Sequence, residues 1–284
     1  MKKQNIALLL SAAMMVTALS ACGGPKSNGS GSDDANTSRA DNNEIAVGIA
    51  QDLGDSLDPY QMTAAGTREI LFNVYEGLYK PTSSGDFAPA LAESYTVSED
   101  GLQYTFTIRD GVQFHNGTAM DVDDVVYSFN TCAATTVDSS LAAALSNVVS
   151  VEATGEQTVT ITLSAPNSDF LAYVASVYIV PDDYTDQATA PVGTGPFMYV
   201  SRSVQENIIF DKFDGYWGEA AKVDRVTFKI YEDSSAMMTA LNGGAVDIVT
   251  HRTVSQTQNL CDQYTVLEGT MMLVQAQYLN KAQA

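Results

Sequence analysis

Patterned sequence begins at Glu44, where residues 44–50 alternate with period two and predict a strand. Leu57-Asp58-Pro59 breaks it. Ile70, Leu71, Val74 and Leu78 then recur at helical spacing behind Thr67, which predicts a helix over 67–78 with Thr67 as its N-cap. Residues 94–97, 104–108 and 113–114 read as short strands turned at Asp100-Gly101 and Asp110-Gly111, a meander signature. Asp121 precedes Val122, Val125, Val126 and Phe129, with Asp123 and Asp124 in the first turn, and so predicts a capped amphipathic helix. Strands are also expected at 148–152, 158–163, 197–201, 207–210, 225–230, 247–249, 264–267 and 271–278, and helices at 168–175 and 234–241. No period repeats, which leaves a mixed α/β or α+β chain and removes solenoids and propellers.

The residues before Glu44 carry no such pattern. Lys2 and Lys3 precede an apolar stretch over 6–19 broken only by Ser11 and Thr17, too short to span a bilayer comfortably. It ends in Leu19-Ser20-Ala21-Cys22-Gly23-Gly24, which resembles a bacterial lipobox. Residues 1–21 are therefore expected to be a lipoprotein signal peptide, with Cys22 becoming a diacylated N-terminus; two acyl chains give stable anchoring where one does not. Residues 22–43, rich in Gly, Ser, Asn and Asp, read as a flexible tether holding an extracytoplasmic protein off the membrane.

Charge narrows the function classes. The 284 residues hold 34 Asp+Glu against 14 Lys+Arg, a formal net charge of −20. Signal removal takes two of those cations and no acid, leaving −22. Such a chain repels phosphate backbones, so nucleic-acid partners are excluded. Two His and three Cys, with no CxxC or HExxH spacing, give no basis for a zinc site. Cys132 and Cys261 could pair in an oxidising compartment, but spacing does not establish it, and buried thiols are the simpler expectation. Asp121, Asp123 and Asp124 lack the glycine and glutamate of a calcium loop, and the helix cap accounts for them. There is no GxSxG, P-loop or GxGxxG, and the proline of Gly193-Thr194-Gly195-Pro196 favours a tight turn over a phosphate cradle. His115, beside Asn116-Gly117, reads as a turn residue rather than a catalyst.

The landmarks Leu57-Asp58-Pro59, Val74-Tyr75-Glu76-Gly77-Leu78-Tyr79 and Pro89-Ala90-Leu91-Ala92-Glu93-Ser94 are followed by a long block. It runs Tyr104-Thr105-Phe106-Thr107-Ile108-Arg109-Asp110-Gly111-Val112-Gln113-Phe114-His115-Asn116-Gly117 and then Asp124-Val125-Val126-Tyr127-Ser128-Phe129. Gly193-Thr194-Gly195-Pro196-Phe197, Tyr216-Trp217 and Ala240-Leu241-Asn242-Gly243-Gly244-Ala245-Val246-Asp247 complete the series. The set resembles the family 5 extracellular solute-binding proteins, the receptors of oligopeptide, dipeptide and nickel ABC importers. The resemblance implies lobe I of a type II periplasmic-binding-protein-like fold. Residues 44–80 and 191–284 would form a core subdomain with 81–190 inserted, and the second lobe of such receptors is missing from the sequence.

The same resemblance implies a binding protein, not an enzyme, with no cofactor and no resident metal. It would capture short peptides and deliver them to an ABC permease and its ATPase subunits. The segment after Pro59 would lie along the cleft and pair its backbone with an extended peptide, which places Thr63, Ala64 and Ala65 at the ligand. Tyr75, Tyr216 and Trp217 read as core or hinge aromatics, of which Tyr75 and Trp217 are also candidates for the cleft wall. The competing expectations are a surface hydrolase acting on peptides or glycans, for which no acidic pair stands out, and a lipoprotein relic that no longer transports.

Overall fold

A computed structural model describes residues 39, 42–54, 56–62, 64–82, 84–135, 139–250 and 264–265. The expected strand at Glu44 is the parallel member of a sheet in which strands β1 (Glu44–Ile49), β8 (Phe197–Ser203), β9 (Asn207–Lys212), β10 (Arg225–Ile230) and β11 (Ile248–Val249) are ordered β11-β1-β10-β9-β8. β1 runs parallel to β10 and β11, whereas β9 is antiparallel to β10 and β8. Period two places Ile45, Val47, Val226 and Phe228 on one apolar face. On the other face helix α5 (Ser234–Asn242) packs on β1 and β11, with Asp233 capping it through Ala236 N–H.

A second sheet, ordered β4-β5-β7-β6, is antiparallel throughout and comprises β4 (Ala92–Val97), β5 (Gln103–Ile108), β6 (Val148–Gly155) and β7 (Thr158–Leu163). A small β2 (Tyr79–Pro81)/β3 (Phe87–Pro89) ribbon leads into it. Helix α2 (Val122–Ala134) covers β6 and β7. Its start is the expected one: Asp121 accepts from Asp123 N and Asp124 N, while the Asp124 carboxylate accepts from Asp121 N, a reciprocal capping box. Asp124 also takes Asp182 N–H at 3.0 Å, and Ser128 Oγ takes Val180 N–H at 3.0 Å, which pins the 180–182 segment to the helix. Short helices α3 (Ser139–Ala144) and α4 (Phe170–Val174) complete the elements among the described residues. The buried apolar residues of both sheets form one continuous core, from Val47, Phe210 and Val226 to Phe106, Phe129 and Phe170.

One expectation is corrected, and another falls mostly outside the described residues. The helix predicted over 67–78 is α1 (Ala65–Leu71), and it ends early because the following backbone is claimed by distant partners. Asn73 and Val74 carbonyls accept from Phe197 and Gly195, and Gly77 pairs with Tyr178. Thr67 is not its cap; Ala64 holds that position without a side-chain hydrogen bond. Of the strands expected at 264–267 and 271–278, only Tyr264 and Thr265 are described, and Tyr264 bends to donate its hydroxyl to Asn242.

Candidate functional site

In open sheets with parallel strands, ligands bind outside the carboxyl ends of those strands. Here that edge belongs to β11, β1 and β10, and the loop leaving β1 runs along it before entering α1 at Ala65. The loop is fastened at each stage. Arg202 on β8 meets the Asp52 carboxylate at 3.0 Å and donates to the Gly54 and Leu53 carbonyls at 2.9 and 2.8 Å. Asp52 in turn accepts Gln205 N–H at 2.7 Å, and its hydrogen bonds from Arg202, Gln205 and Leu53 outweigh burial and hold its carboxyl below the ordinary range.

Further along, Asp58 accepts from Tyr60 N–H and the Gln61 amide, while Leu57 N–H pairs with the Ala188 carbonyl. Tyr60 donates to the Tyr178 carbonyl at 2.8 Å, and Arg68 donates back to Met62 at 3.0 Å. Ala64 and Ala65 come next, at the uncapped start of α1. Thr63 lies outside the described residues. Tyr75 is 1% exposed, its ring stacked on Tyr178 and its hydroxyl spent on the Leu57 carbonyl and Gln187. It holds the loop in place rather than opening to solvent.

Trp217 belongs to a different network. Glu76, which the sequence reading left without a role, is a buried carboxylate accepting from Trp217 Nε1 at 2.7 Å, Tyr216 Oη at 2.7 Å and Thr194 Oγ at 3.2 Å. Burial raises its carboxyl above the usual value and the donors pull it back. Half-buried Trp217 has the Arg109 guanidinium stacked 4.4 Å from its ring centre. The structure thus ties Tyr75 to the loop of Ala64 and Ala65, and ties Trp217 to Glu76. An acidic residue inside an apolar run, as in Tyr75-Glu76-Gly77-Leu78, is the signal that could have flagged the node.

His115 sits under the Gly193–Pro196 turn. Gly193 N–H points at Nδ1 at 3.3 Å, so Nδ1 is an acceptor and Nε2–H donates to the Gly195 carbonyl at 2.9 Å. Both ring nitrogens are committed, and burial pushes the imidazole down to about 4. Because the unfolded chain binds this proton near the ordinary 6.5 and the folded chain does not, the stability His115 contributes is full above 6.5 and lost as pH falls toward about 4. At about 1.4 kcal/mol per pH unit, the parent is expected to lose up to about 3 kcal/mol relative to His115→Gln across that window. Asp124, pushed up to about 6, and Glu76 act in the opposite sense and are common to both proteins, so urea midpoints of the pair isolate the histidine. A pH-independent difference would refute the assignment.

Among the described residues no group of three His, Cys, Asp or Glu is placed to hold a metal. Cys132 is buried, and both Cys261 and the expected lipidation residue Cys22 lie outside the described residues. A groove of about 560 Å³ lies over the apolar face of the first sheet, floored by Ile45, Val47, Phe210, Val226 and Phe228 and bordered by Asn73, Glu219 and Lys222.

The family model "Bacterial extracellular solute-binding proteins, family 5 Middle" matches residues 86–281. The chain is 32% identical over 211 residues to the glutathione-binding protein GsiB of Salmonella paratyphi A, covering 71% of this chain and 41% of that one. It is 30% identical over 185 residues to the nickel-binding periplasmic protein of Escherichia coli, covering 62% and 35%. Its fold matches the periplasmic binding protein DppA from Helicobacter pylori, solved in complex with the peptide STSA, with a TM-score of 0.71 and 28% identity over 77% of this chain and 48% of that one. The chain therefore spans less than half the length of these relatives. A match over more than half of this chain, on a mixed α/β fold shared with solved binding proteins, makes it a member of the bacterial extracellular solute-binding proteins, family 5.

Proposed function

We propose that the chain supplies one lobe of an extracytoplasmic receptor, lipid-anchored through Cys22, that captures short peptides for an ABC permease and its ATPase. In this reading residues 44–80 and 191–284 are the core subdomain and 81–190 an insertion. The division is supported by the sheets, since the five-stranded one draws its strands from 44–49 and 197–249 and the four-stranded one from 92–163. The observation that carries the peptide reading is the fastened loop at the carboxyl edge ending in half-buried Ala64 and exposed Ala65, where the first N–H groups of α1 are offered without a capping side chain. A rigid backbone edge recognises a peptide main chain whatever its side chains. The peptide bound to the H. pylori relative and the glutathione of GsiB, itself a tripeptide, favour the same ligand class. Direct nickel ligation by His115 is disfavoured because both its nitrogens are in use.

Ala65→Pro tests this. Ala65 is the first residue of α1, where proline is tolerated, and Ala64 at φ −84°, ψ 129° already has the backbone that precedes a proline. The substitution removes one N–H and leaves the helix. If a peptide pairs with that N–H, affinity falls roughly three- to tenfold with an unchanged melting point. The fluorescence of Trp217, the single tryptophan, or calorimetry reads it. Unchanged affinity would remove Ala65 from the site.

A further inference from the structure

The sequence holds no Lys or Arg between Arg109 and Arg202, and the cation that ends this gap is placed inside rather than on the surface. The side chain of Arg202 is 12% exposed and that of Asp52 4%. Its guanidinium meets three acceptors on consecutive residues of the β1–α1 loop: the Asp52 carboxylate and the Leu53 and Gly54 carbonyls. Gln205 closes the other side by donating its backbone N–H to Asp52. The chain continues from this clamp into the ligand segment by one more bond: Gly54 N–H donates to Thr67 Oγ at 2.8 Å, and Thr67, 1% exposed, stands in the first turn of α1.

We propose that Arg202 is a positioning residue for ligand recognition: through Gly54 and Thr67 it fixes the height at which the start of α1, with Ala64 and Ala65, is presented at the carboxyl edge. The inference rests on the peptide reading above. Arg202 itself touches no ligand in it. A planar fork satisfying three acceptors at once holds the loop in a single arrangement, which a point-charge ammonium cannot reproduce. Thr67 is the third residue of α1, two positions past its start, and its hydroxyl accepts from the loop instead of capping the helix.

The experiment compares Arg202→Lys and Thr67→Val with Thr67→Ser in the full chain, using hydrogen exchange, melting temperature and peptide titration. Arg202→Lys keeps the charge and loses the fork. Thr67→Val keeps the shape and loses the acceptor, and Thr67→Ser restores it. Amides of residues 52–54 and of the first turn of α1 are expected to exchange about tenfold faster in Arg202→Lys and Thr67→Val, with those of β5, β7 and β9 unchanged and Thr67→Ser like the parent. Peptide affinity is expected to fall about tenfold in the same two variants. Exchange that rises uniformly with a lower melting point, or a Thr67→Val protein that exchanges like the parent, overturns the relay. Local loosening with parental affinity overturns its role in recognition. If the parent and Ala65→Pro both bind no peptide, the peptide reading fails and the positioning role with it, while a clamp confirmed by exchange would stand as structure alone.

Discussion

Gly193→Ala is expected to abolish the soluble fold, and Gly195→Ala to do nearly the same. A Cβ at Gly193 would sit 2.2 Å from the Val74 carbonyl oxygen and 2.8 Å from the Tyr75 ring. At Gly195 it would sit 2.4 Å from the Asn73 oxygen. The two carbonyl oxygens are backbone atoms that cannot turn aside, because Val74 O already accepts Gly195 N–H at 2.9 Å and Asn73 O accepts Phe197 N–H at 3.1 Å. Relief requires separating the 73–76 segment from the Gly193–Pro196 turn, which also breaks the His115 bonds and the Thr194 bond to Glu76. A loss above about 4 kcal/mol follows, comparable to the whole stability of many domains. Gly117→Ala is the control: its φ of +85° is costly for alanine, but nothing lies within 4 Å of the new methyl. About 1–2 kcal/mol is expected there. The two are compared by soluble yield and denaturant midpoint. Gly193 is not in the left-handed region, so an effect no larger than that of Gly117→Ala would mean that the 73–76 backbone yields to the new methyl and close approach does not constrain the turn.

This contrast shows which parts of the molecule were legible in sequence. Features built from neighbours were readable: the Asp121 cap uses N–H groups two and three residues on, and β1 declares itself by alternation that needs no partner. Features whose partners are distant in the chain were not. Thr67 has the residue type of a cap, yet it lies inside the first turn and the N–H it accepts comes from Gly54. Residues 72–78 keep a helical spacing of apolar positions because Val74, Tyr75 and Leu78 are all buried, and burial on several sides imitates the amphipathic period. For the candidate site, the loop and the Ala64–Ala65 position came from the resemblance. The fastenings that make the loop rigid, Arg202 and the Ala188 carbonyl above all, came only from the structure. Arg202 looks in sequence like any surface cation on a strand.

Glu76 shows what such a distant constraint is worth. Its carboxylate lies where three stretches of chain meet: the exit from α1, the turn into β8 and the Tyr216-Trp217 pair after β9. Glu76→Ala removes the one acceptor shared by three buried or half-buried donors, each of which then costs its desolvation, and a loss of about 3–5 kcal/mol is expected. Glu76→Gln keeps one carbonyl acceptor but turns an amide N–H₂ toward a donor, and about half that loss is expected. The pH dependence carries a definite sign. Burial raises the folded-state carboxyl above the ordinary 4.5, so this group's contribution is full below that value and declines as pH rises through the folded one. The deficit of Glu76→Gln against the parent should therefore shrink from acid to neutral pH, while that of Glu76→Ala stays the larger at every pH. Trp217 supplies an independent readout, since loss of the Nε1 partner changes the indole's surroundings and shifts its emission in Glu76→Ala. A Glu76→Ala protein as stable as the parent, with unshifted emission, would mean that Tyr216 and Trp217 are positioned by packing alone, and that the charge at the meeting point of the three segments is incidental.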